Sequence, residues 1–406
     1  MRIGRTLPPA AAPLSVIDLL NGMAGIIQPE KTLSQLQRSI CKNFKKKHCF
    51  LVSSGKAAIT LTLNALAGIY PDRNEVIIPA FNCYSVPSAI VRAGLIVSPC
   101  DITPETLQFQ KESLERMFKS SSKVLAIMPT HLFGLPCDTN YIRTLTNNTK
   151  VTIIEDAAQS MGSEYNGKHL GTNGDVGIFS LGRGKAISAG EGAIILTNDD
   201  LLADKITLQM DSFPKCSIPK LGNLIIQSVA LTILINPMLF WILKMIPFLK
   251  LGETVFDPDF PIRKFSGFQA GLIKNWESKI AQFLQERSTR VKLYSQHLSG
   301  IKGISVLADQ WNTNTLACIR FPLMIKNKEA VKEILFRSEK EGLGISRTYP
   351  DSIDTIRPIL SNITKTCINA HNISQTLITL PCHPMVRNKD IVKISHLIKN
   401  LCGCEK

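Results

Sequence analysis

The chain has 406 residues, 44% hydrophobic and 19% charged, a balance typical of a globular protein with two or three domains and not of a disordered one. Lysine and arginine outnumber aspartate and glutamate by 47 to 32, and the net charge of +15 favours an acidic partner such as a phosphorylated substrate or an anionic membrane surface. Nucleic acid is disfavoured as that partner, because the basic residues are dispersed and aromatic residues make up only 6% of the chain.

The first two regions of the chain predict an N-terminal arm with a helix, then an α/β domain. Residues 1–48 are rich in proline and alanine at first, and Leu33, Leu36 and Ile40 then recur at helical spacing. Residues 49–204 alternate helical stretches with short, almost wholly apolar runs, as strands covered on both faces must be. The runs are 49–53, 75–79, 95–101, 123–129, 151–156, 176–182 and 193–199. They predict a mostly parallel seven-stranded sheet flanked by helices.

Residues 205–262 interrupt this pattern with an apolar insert. Residues 221–243 carry no charge, and their length and composition are those of a transmembrane candidate. A single span would separate two parts of a fold that must pack together, and Asn236-Pro237 predicts a turn in the middle. We therefore expect 221–249 to form a helical hairpin on or in one leaflet, with a buried dimer contact or core helix pair as the alternative. Flanking cations would attract anionic headgroups: Lys215, Lys220, Lys244, Lys250, Arg263 and Lys264.

The last region, residues 263–406, predicts a long connecting helix over 267–300 and a smaller C-terminal α+β domain. The eleven cysteines are scattered and odd in number, which indicates reduced thiols in a cytoplasm-like compartment. No metal is expected, because neither Cys402-x-Cys404 nor the group Cys41, His48 and Cys49 has the paired spacing of a zinc site. The first residues lack the pattern of a secretion signal, so we expect a cytoplasmic protein.

Three segments carry residues with chemical potential. Ser54-Gly55-Lys56 lies where a strand ends and a helix begins, a junction whose free backbone N–H groups favour a phosphate. Asp156 ends a strand and would face the crevice in which open α/β sheets bind ligands, although it could also cap the next helix. Lys185 stands among glycines after a strand, where a low dielectric would deprotonate it for attack on a carbonyl. An exposed basic turn is the alternative for Lys185.

Together these segments resemble the DegT/StrS-type sugar aminotransferases, a family within the aspartate aminotransferase superfamily. The resemblance rests on SSGKAAI, on IIEDAAQSMGSEYNGKHLGTNGDVGIFSLGRGKAISAGEGAIILTND and on LITLPCHPMVRNKDI. It runs from about residue 30 to the C-terminus, except for 205–262. It implies the fold-type-I transferase fold and pyridoxal 5'-phosphate (PLP) as cofactor.

The resemblance also implies a role for each matching residue. Lys185 would bind the cofactor's aldehyde as a Schiff base and later move the proton, and Asp156 would pair with the pyridinium nitrogen. The phosphate would be held by Ser54, Gly55, Lys56 and Ser180, the phenolic oxygen would lie beside Gln159, and the substrate would lie near His131 and Glu191. Lys56 replaces the family's usual threonine, so that a hydroxyl is lost and a cation gained.

Two segments depart from the family's pattern. Cys83 occupies the position of the aromatic residue that the family stacks on the cofactor ring, with Tyr84 or Phe81 as its expected substitute. Residues 264–269 replace the G-x-N-x-R-M segment through which the partner subunit reaches the active site. We therefore expect an unusual acceptor pocket.

The function implied by the resemblance is amino transfer from glutamate, or a similar donor, to a keto-sugar, expected to be nucleotide-linked, for cell-surface polysaccharide or glycolipid synthesis. A homodimer on the inner face of the cell membrane would carry it out. Two alternatives stay open: a non-catalytic, membrane-associated binding or regulatory protein, and another sugar modification such as dehydration, whose enzymes replace the lysine by histidine. A P-loop or dinucleotide-binding enzyme is disfavoured, because neither glycine pattern is present.

Overall fold

The computed structural model describes residues 3–246, 254–311, 315–316, 318–356 and 367–402. The strands before residue 200 are β1 His48–Val52, β2 Glu75–Pro79, β3 Ile96–Cys100, β4 Val124–Ile127, β5 Thr152–Asp156, β6 Glu164–Tyr165, β7 Lys168–His169, β8 Val176–Ser180 and β9 Ala193–Thr197. β6 and β7 pair separately, and the other seven strands form one sheet of order β1-β9-β8-β5-β4-β2-β3. Only β9 runs antiparallel to its neighbours, which confirms the predicted mostly parallel sheet.

The antiparallel direction of β9 determines where the loop between β8 and β9 lies. A parallel neighbour of β8 would need a crossover connection, usually through a helix. Residues 181–192 instead form a loop that reverses the chain direction without a crossover helix, so that Ser180 at the end of β8 pairs with Ala193 at the start of β9. This loop therefore lies at the carboxyl edge of the parallel strands, the edge at which β5 ends in Asp156.

Helices cover both faces of the sheet, which buries every residue of β5 and β9. Those before residue 212 are α1 Val16–Ile27, α2 Pro29–Phe44, α3 Gly55–Ile69, α4 Ser85–Arg92, α5 Lys111–Ser120, α6 Thr139–Leu145 and α7 Asp200–Asp211. One face packs on α3 and α4 through residues such as Ile154 and Ile178. The other packs on α2 through residues such as Phe179 and Ile194.

The insert folds as two helices, α8 Ile218–Leu234 and α9 Phe240–Lys244, with the expected turn at Asn236-Pro237 between them. The backbone N–H of Thr6 donates to the carbonyl of Pro237 at 2.7 Å, which ties this turn to the N-terminal arm. One face of α8 is buried on the protein, including Leu224 and Ser228. The last residues of the expected hairpin, 247–249, lie outside the described residues. None of the helices in the described part of the chain has the length and hydropathy to cross a membrane.

The predicted helix over 267–300 is two helices, α10 Gly267–Leu272 and α11 Trp276–Leu298. The break follows from two packing requirements. Gly271 lies so close to α1 that a Cβ there would stand 2.1 Å from the carbonyl oxygen of Asn21. Trp276 is buried, stacks on Phe44 with ring centroids 5.7 Å apart, and donates its indole N–H to Ser39 at 2.7 Å. A single straight helix cannot satisfy both contacts.

The C-terminal part is built around a small antiparallel sheet, as expected from its alternating strand-like and helical segments, and its core continues into the large domain at residues such as Phe81 and Phe133. The sheet contains β10 Ile304–Val306, β11 Phe321–Ile325 and β12 Leu377–Leu380, in that order. Its helices are α12 Lys328–Glu341, α13 Ile368–Thr376 and α14 Asn388–Cys402. The N-terminal arm crosses this part, where Arg5 pairs with Asp390 at 2.6 Å and His383 donates to the carbonyl of Pro8 at 2.9 Å. The domain boundaries given by the sequence remain predictions.

Candidate active site

Arg287 of α11 binds the backbone of the loop that carries Lys185. This guanidinium is fully buried and donates at 3.2 Å to the backbone carbonyls of Lys185, Ala186 and Ala11. Burial lowers the pKa of Arg287 to about 10, which leaves it charged at neutral pH. A charged donor thus fixes both the lysine loop and the N-terminal arm.

Lys185 and Asp156 lie close enough to influence each other's ionisation. Burial lowers the pKa of the Lys185 amine, against the opposing pull of Cys83 and Asp156. Burial raises the pKa of the Asp156 carboxyl, against the opposing effects of the Ala158 N–H group and of Lys185. Oδ1 of Asp156 accepts from Ala158 at 3.1 Å, and within the described residues Oδ2 has no hydrogen-bond partner. The arrangement offers a reactive amine beside a carboxylate with a free oxygen.

The start of α3 is the strand-to-helix junction at which the sequence predicts phosphate binding. Ser54 caps the helix by accepting from Ala57 N–H at 3.1 Å, and the Gly55 N–H group belongs to the first turn. Across the junction, a Cβ on Gly55 would stand 3.8 Å from the Ser180 hydroxyl. The Lys56 side chain differs from expectation: its ammonium lies 3.1 Å from Asp257 and 4.4 Å from the centre of the Phe260 ring. Its charge therefore does not take the place of the missing threonine hydroxyl.

Gln159 is fixed from two sides. Its side-chain oxygen accepts from the backbone N–H of Phe133 at 3.0 Å, and its amide donates to the Tyr349 hydroxyl at 2.8 Å. Phe133 has a φ of +59°, a conformation that bulky residues rarely adopt and that often marks a functional site. Burial raises the pKa of Tyr349 well above its ordinary value, so this hydroxyl stays protonated. The amide therefore has one fixed orientation.

Cys83 occupies the position of the family's stacking aromatic, and its two expected substitutes, Phe81 and Tyr84, have different surroundings. Cys83 has its sulfur 3.3 Å from the Thr254 hydroxyl. Phe81 is fully buried with its ring edge-on to Tyr349, centroids 5.1 Å apart, so it cannot serve as a stacking ring. Tyr84 is half-buried and donates its hydroxyl to the carbonyl of Asp351 at 3.3 Å. Of the two expected substitutes, only Tyr84 remains.

His131 is buried and not exposed at the site. The sequence predicted that it contacts the substrate, and its position corrects this expectation. The ring is fully buried, Nδ1 accepts from Cys137 N–H at 3.0 Å, and Nε2 donates to Glu155 at 2.7 Å. Glu155 also accepts from the N–H groups of Gly171 and Gly174. Burial alone would raise the pKa of Glu155, but these donors outweigh it and the pKa is lowered. Both ring nitrogens are used, so none is left for a substrate.

Replacing Glu155 with glutamine is expected to destabilise the fold by about 3 kcal/mol. The glutamine N–H group would face one of the three groups that donate to Glu155, which are the His131 ring and the N–H groups of Gly171 and Gly174. The pKa of Glu155 is lowered in the folded state, so its stabilising effect is present above the ordinary glutamate pKa and is lost as pH falls through the folded value. In urea unfolding, the variant should therefore have a lower free energy of unfolding than the parent at neutral pH, and the difference should be much smaller in acid. Equal stabilities at neutral pH would contradict this assignment.

Glu191 meets the insert. Its carboxylate pairs with Lys220 of α8 at 3.0 Å, and its backbone carbonyl accepts from the Gln269 amide at 2.8 Å. Gln269 belongs to the segment that replaces the family's partner-reaching motif, and here it caps α10 instead. A substrate contact by Glu191 would have to compete with Lys220.

Arg320, just before β11, was not singled out by the sequence. Within the described residues it has no carboxylate partner, and it donates only to the Ser346 hydroxyl, at 3.3 Å. It adds to the effect of burial in lowering the pKa of Lys185, so it lies near that amine. A partly accessible cation without a counter-ion beside the reactive amine is suited to a carboxylate ligand.

The structure thus brings Lys185, Asp156, Gln159 and Cys83 together around Tyr349, and Ser180 to the start of α3. The ring nitrogens of His131 are instead bound to Cys137 and Glu155, and the Lys56 ammonium pairs with Asp257. Arg287, Arg320 and Tyr349 also belong to this cluster and were not predicted from the sequence. They come from the C-terminal part of the chain and stand in no recognisable pattern, so only their three-dimensional neighbours identify them.

Known proteins share this arrangement of elements. A GDP-perosamine synthase from Vibrio cholerae is 34% identical over 175 residues, which are 43% of this chain and 47% of that protein. The chain thus spans about half the length of the curated relatives it matches. A Helicobacter pylori aminotransferase of pseudaminic acid biosynthesis has a TM-score of 0.79 at 17% identity, covering 98% of this chain and 99% of its own. Escherichia coli GDP-4-keto-6-deoxy-D-mannose-3-dehydratase, solved with hydrated PLP, has a TM-score of 0.76 at 18% identity, covering 97% and 100%.

The two solved structures establish the fold, and a family model establishes the family. The model of the DegT/DnrJ/EryC1/StrS aminotransferase family matches residues 16–217 and 263–399. The interruption between these ranges contains α8 and α9, so the family model does not describe the insert. Because the matched ranges make up well over half of the chain, it belongs to the DegT/DnrJ/EryC1/StrS aminotransferase family.

Proposed function

We propose that the protein is a PLP-dependent aminotransferase that transfers an amino group from glutamate, or a similar donor, to a nucleotide-linked keto-sugar for cell-surface polysaccharide or glycolipid synthesis. One observation carries the proposal: a buried amine of lowered pKa, Lys185, lies beside the buried carboxylate of Asp156 at the carboxyl edge of the sheet. Perturbed ionisable groups of this kind cluster at catalytic sites. The nucleotide-linked sugar is the substrate class that the name of the 34% identical relative suggests.

The residues present fit PLP, the cofactor of this family. The first turn of α3 and the Ser180 hydroxyl would hold its phosphate, and a side chain larger than that of Gly55 would narrow this cradle. Oδ2 of Asp156, which has no partner within the described residues, would accept the ring N–H. Gln159, whose amide is fixed by Phe133 and Tyr349, would lie beside the phenolic oxygen. When bound, the cofactor supplies a ring that accepts electrons from the carbon carrying the amino group.

The protein's own contribution is proton transfer and orientation. Burial lowers the pKa of Lys185 and so favours its neutral amine, the form that would take a proton from the donor's α-carbon and return it. Asp156 would hold the protonated ring nitrogen, and Arg287 keeps the lysine loop in place through backbone carbonyls. The buried Tyr349 and Phe133 exclude water from the side of Gln159.

We further propose that Arg320 binds the α-carboxylate of the amino donor. Replacing it with glutamine is expected to raise the KM for glutamate about thirtyfold, which corresponds to about 2 kcal/mol for one charged hydrogen-bonded pair. The half-reaction with the keto-sugar should keep its rate, and the bound cofactor should keep its absorption spectrum. Stopped-flow measurement of each half-reaction separates these effects.

Arg92 provides the control for this experiment. It is a partly exposed arginine that pairs with Asp259 at 3.2 Å, and Arg92→Gln should leave the glutamate KM unchanged. If Arg320→Gln slowed the keto-sugar half-reaction instead, Arg320 would bind the acceptor and the assignment to the donor would be wrong.

A homodimer in the cytoplasm, peripheral to the inner face of the cell membrane, is also part of the proposal. Its support is the family resemblance for the dimer, and the basic charge and apolar insert for the membrane. Light scattering after gel filtration should give twice the chain mass of 44.8 kDa. Recovery of a monomer that is active would exclude the dimer.

The reaction itself is tested with the purified full chain and PLP. We expect a yellow protein, borohydride fixation of the cofactor on Lys185 by peptide mass spectrometry, and formation of 2-oxoglutarate when glutamate and a nucleotide keto-sugar are present. A panel of such sugars identifies the acceptor. Cofactor binding without amino transfer to any of them would favour the non-catalytic alternative, and no cofactor binding would exclude the whole class.

A further inference from the structure

Helices α1 and α8 are in contact, and each exposes an apolar face. On α1, Val16, Ile17, Leu20, Met23 and Ile27 are each 47% exposed or more. Their spacing places them along one side of the helix. The opposite side is packed on α10, where Gly22 and Gly25 allow close contact. The exposed apolar residues are therefore a surface of the folded chain and do not result from a loosely packed helix.

Helix α8 continues this face. Ile218, Ile226, Val229 and Ile233 are each 41% exposed or more, and Met238 follows in the turn. Their spacings of eight, three and four residues keep them on one side, while Leu224 and Ser228 on the other side are buried. We call these residues of α1 and α8 the α1–α8 face.

On the insert side of this face the chain's own charges are all basic, whereas Glu30, just after α1, is an exposed acid. Residues 212–252 contain no aspartate or glutamate. The acid on α1, Asp18, is 5% exposed and bound to Lys279. Lys220 and Lys244 are paired with Glu191 and Glu339. Three cations at the start of α8 have no carboxylate partner within the described residues, and the backbone bond from Lys264 to Pro214 at 3.1 Å holds two of their segments together. They are Lys215, Arg263 and Lys264.

We propose that the α1–α8 face docks on an anionic lipid surface, with both helices lying in the plane of the membrane. An apolar helix face bordered by basic residues binds where headgroups meet acyl chains, and the basic residues interact with acidic headgroups. This deepens the membrane location proposed above and rests on it, independently of the reaction.

A second copy of the chain fits this face less well than lipid does. In a two-fold dimer the same patch meets itself, so the unpaired cations around it would face cations of the other copy. Neither helix offers an exposed carboxylate that could neutralise them. An anionic bilayer supplies that charge and also covers the apolar side chains.

The test is sedimentation of the full-length protein with phosphatidylcholine vesicles that contain or lack phosphatidylglycerol. We expect binding only to the anionic vesicles, weakened by salt. The double variant Leu20→Gln, Ile226→Gln should lower the vesicle partition coefficient by roughly tenfold or more, and Lys215→Glu should also weaken it. The matched control is Phe336→Gln, which changes an apolar side chain of α12 that is 64% exposed and lies outside the face.

Each other outcome overturns the proposal. Absence of binding to anionic vesicles, or equal binding by the double variant and the parent, would exclude the α1–α8 face as a lipid surface. Conversion of a dimeric parent to a monomer by the double variant, without vesicle binding by the parent, would show that a second copy occupies the face. Amino transfer to a soluble acceptor, measured on the same proteins, tests the proposed reaction separately. If the protein bound vesicles but had no activity, the proposed reaction would be wrong and the proposed docking surface would be retained.

Discussion

Lys185→Ala is expected to reduce amino transfer by about four orders of magnitude, because one amine is proposed both to bind the cofactor and to move the proton. The environment of Lys185 explains why no other lysine can replace it. Its pKa is lowered chiefly by burial, and its loop is fixed by Arg287 through the carbonyls of Lys185 and Ala186. The rate of 2-oxoglutarate formation under single-turnover conditions measures the loss.

The same substitution should not harm the fold. Burial disfavours the charged form of Lys185, so removing the amine removes a desolvated cation, and the cofactor-free variant should melt no lower than the parent. Lys168→Ala, at an exposed position, is the matched control and should keep full activity. If Lys185→Ala kept a tenth of the activity, Lys185 would not be the catalytic lysine.

The sheet, and the positions of Lys185 and Asp156 at its carboxyl edge, could be predicted from the sequence because both depend on local patterns. Each buried strand is a short apolar run, and the carboxyl ends of parallel strands meet at one edge, so the residue that ends β5 was expected at the ligand crevice. The glycine-rich loop after β8 was recognisable by its resemblance to a family. These features need no knowledge of distant contacts.

The rest of the site depends on contacts between distant segments, which leave no local signal. The orientation of His131 is decided by Glu155 and by glycine N–H groups forty residues or more along the chain. Lys56 turns to Asp257, about two hundred residues away and within the segment that no family pattern describes. A motif assigns a position to a residue, but the partner that its side chain meets is set by the tertiary fold.

The insert shows the same limit. Its composition predicted a hairpin that enters or lies on the membrane, whereas α8 buries one face on the protein and exposes the other. The exposed half becomes a continuous surface only together with α1, about two hundred residues earlier in the chain. Composition thus identified an apolar segment, but it could not divide that segment between core and surface.

Asp156→Asn is expected to remove activity and, in the same protein without cofactor, to leave stability unchanged or raise it. The carboxylate is proposed to hold the positive ring nitrogen, and loss of such an electrostatic contact lowers kcat by at least about 10²-fold. Without cofactor, however, burial raises the pKa of Asp156, which means that the folded state disfavours the charged carboxylate. Asparagine keeps an oxygen for the Ala158 N–H group and has no charge to desolvate.

The pH dependence gives this prediction a definite sign. Because the folded pKa of Asp156 lies above the unfolded one, the folded state binds more protons between the two values, and stability falls as pH rises through that window. The melting temperature of the parent should therefore fall relative to that of Asp156→Asn from acid to neutral pH, while the exposed control Asp211→Asn shows no such change. A variant that melts below the parent at neutral pH would mean that attraction between Asp156 and Lys185 outweighs burial. The expected opposition of stability and activity is characteristic of a carboxylate placed for a ligand, because the fold alone does not favour its charge.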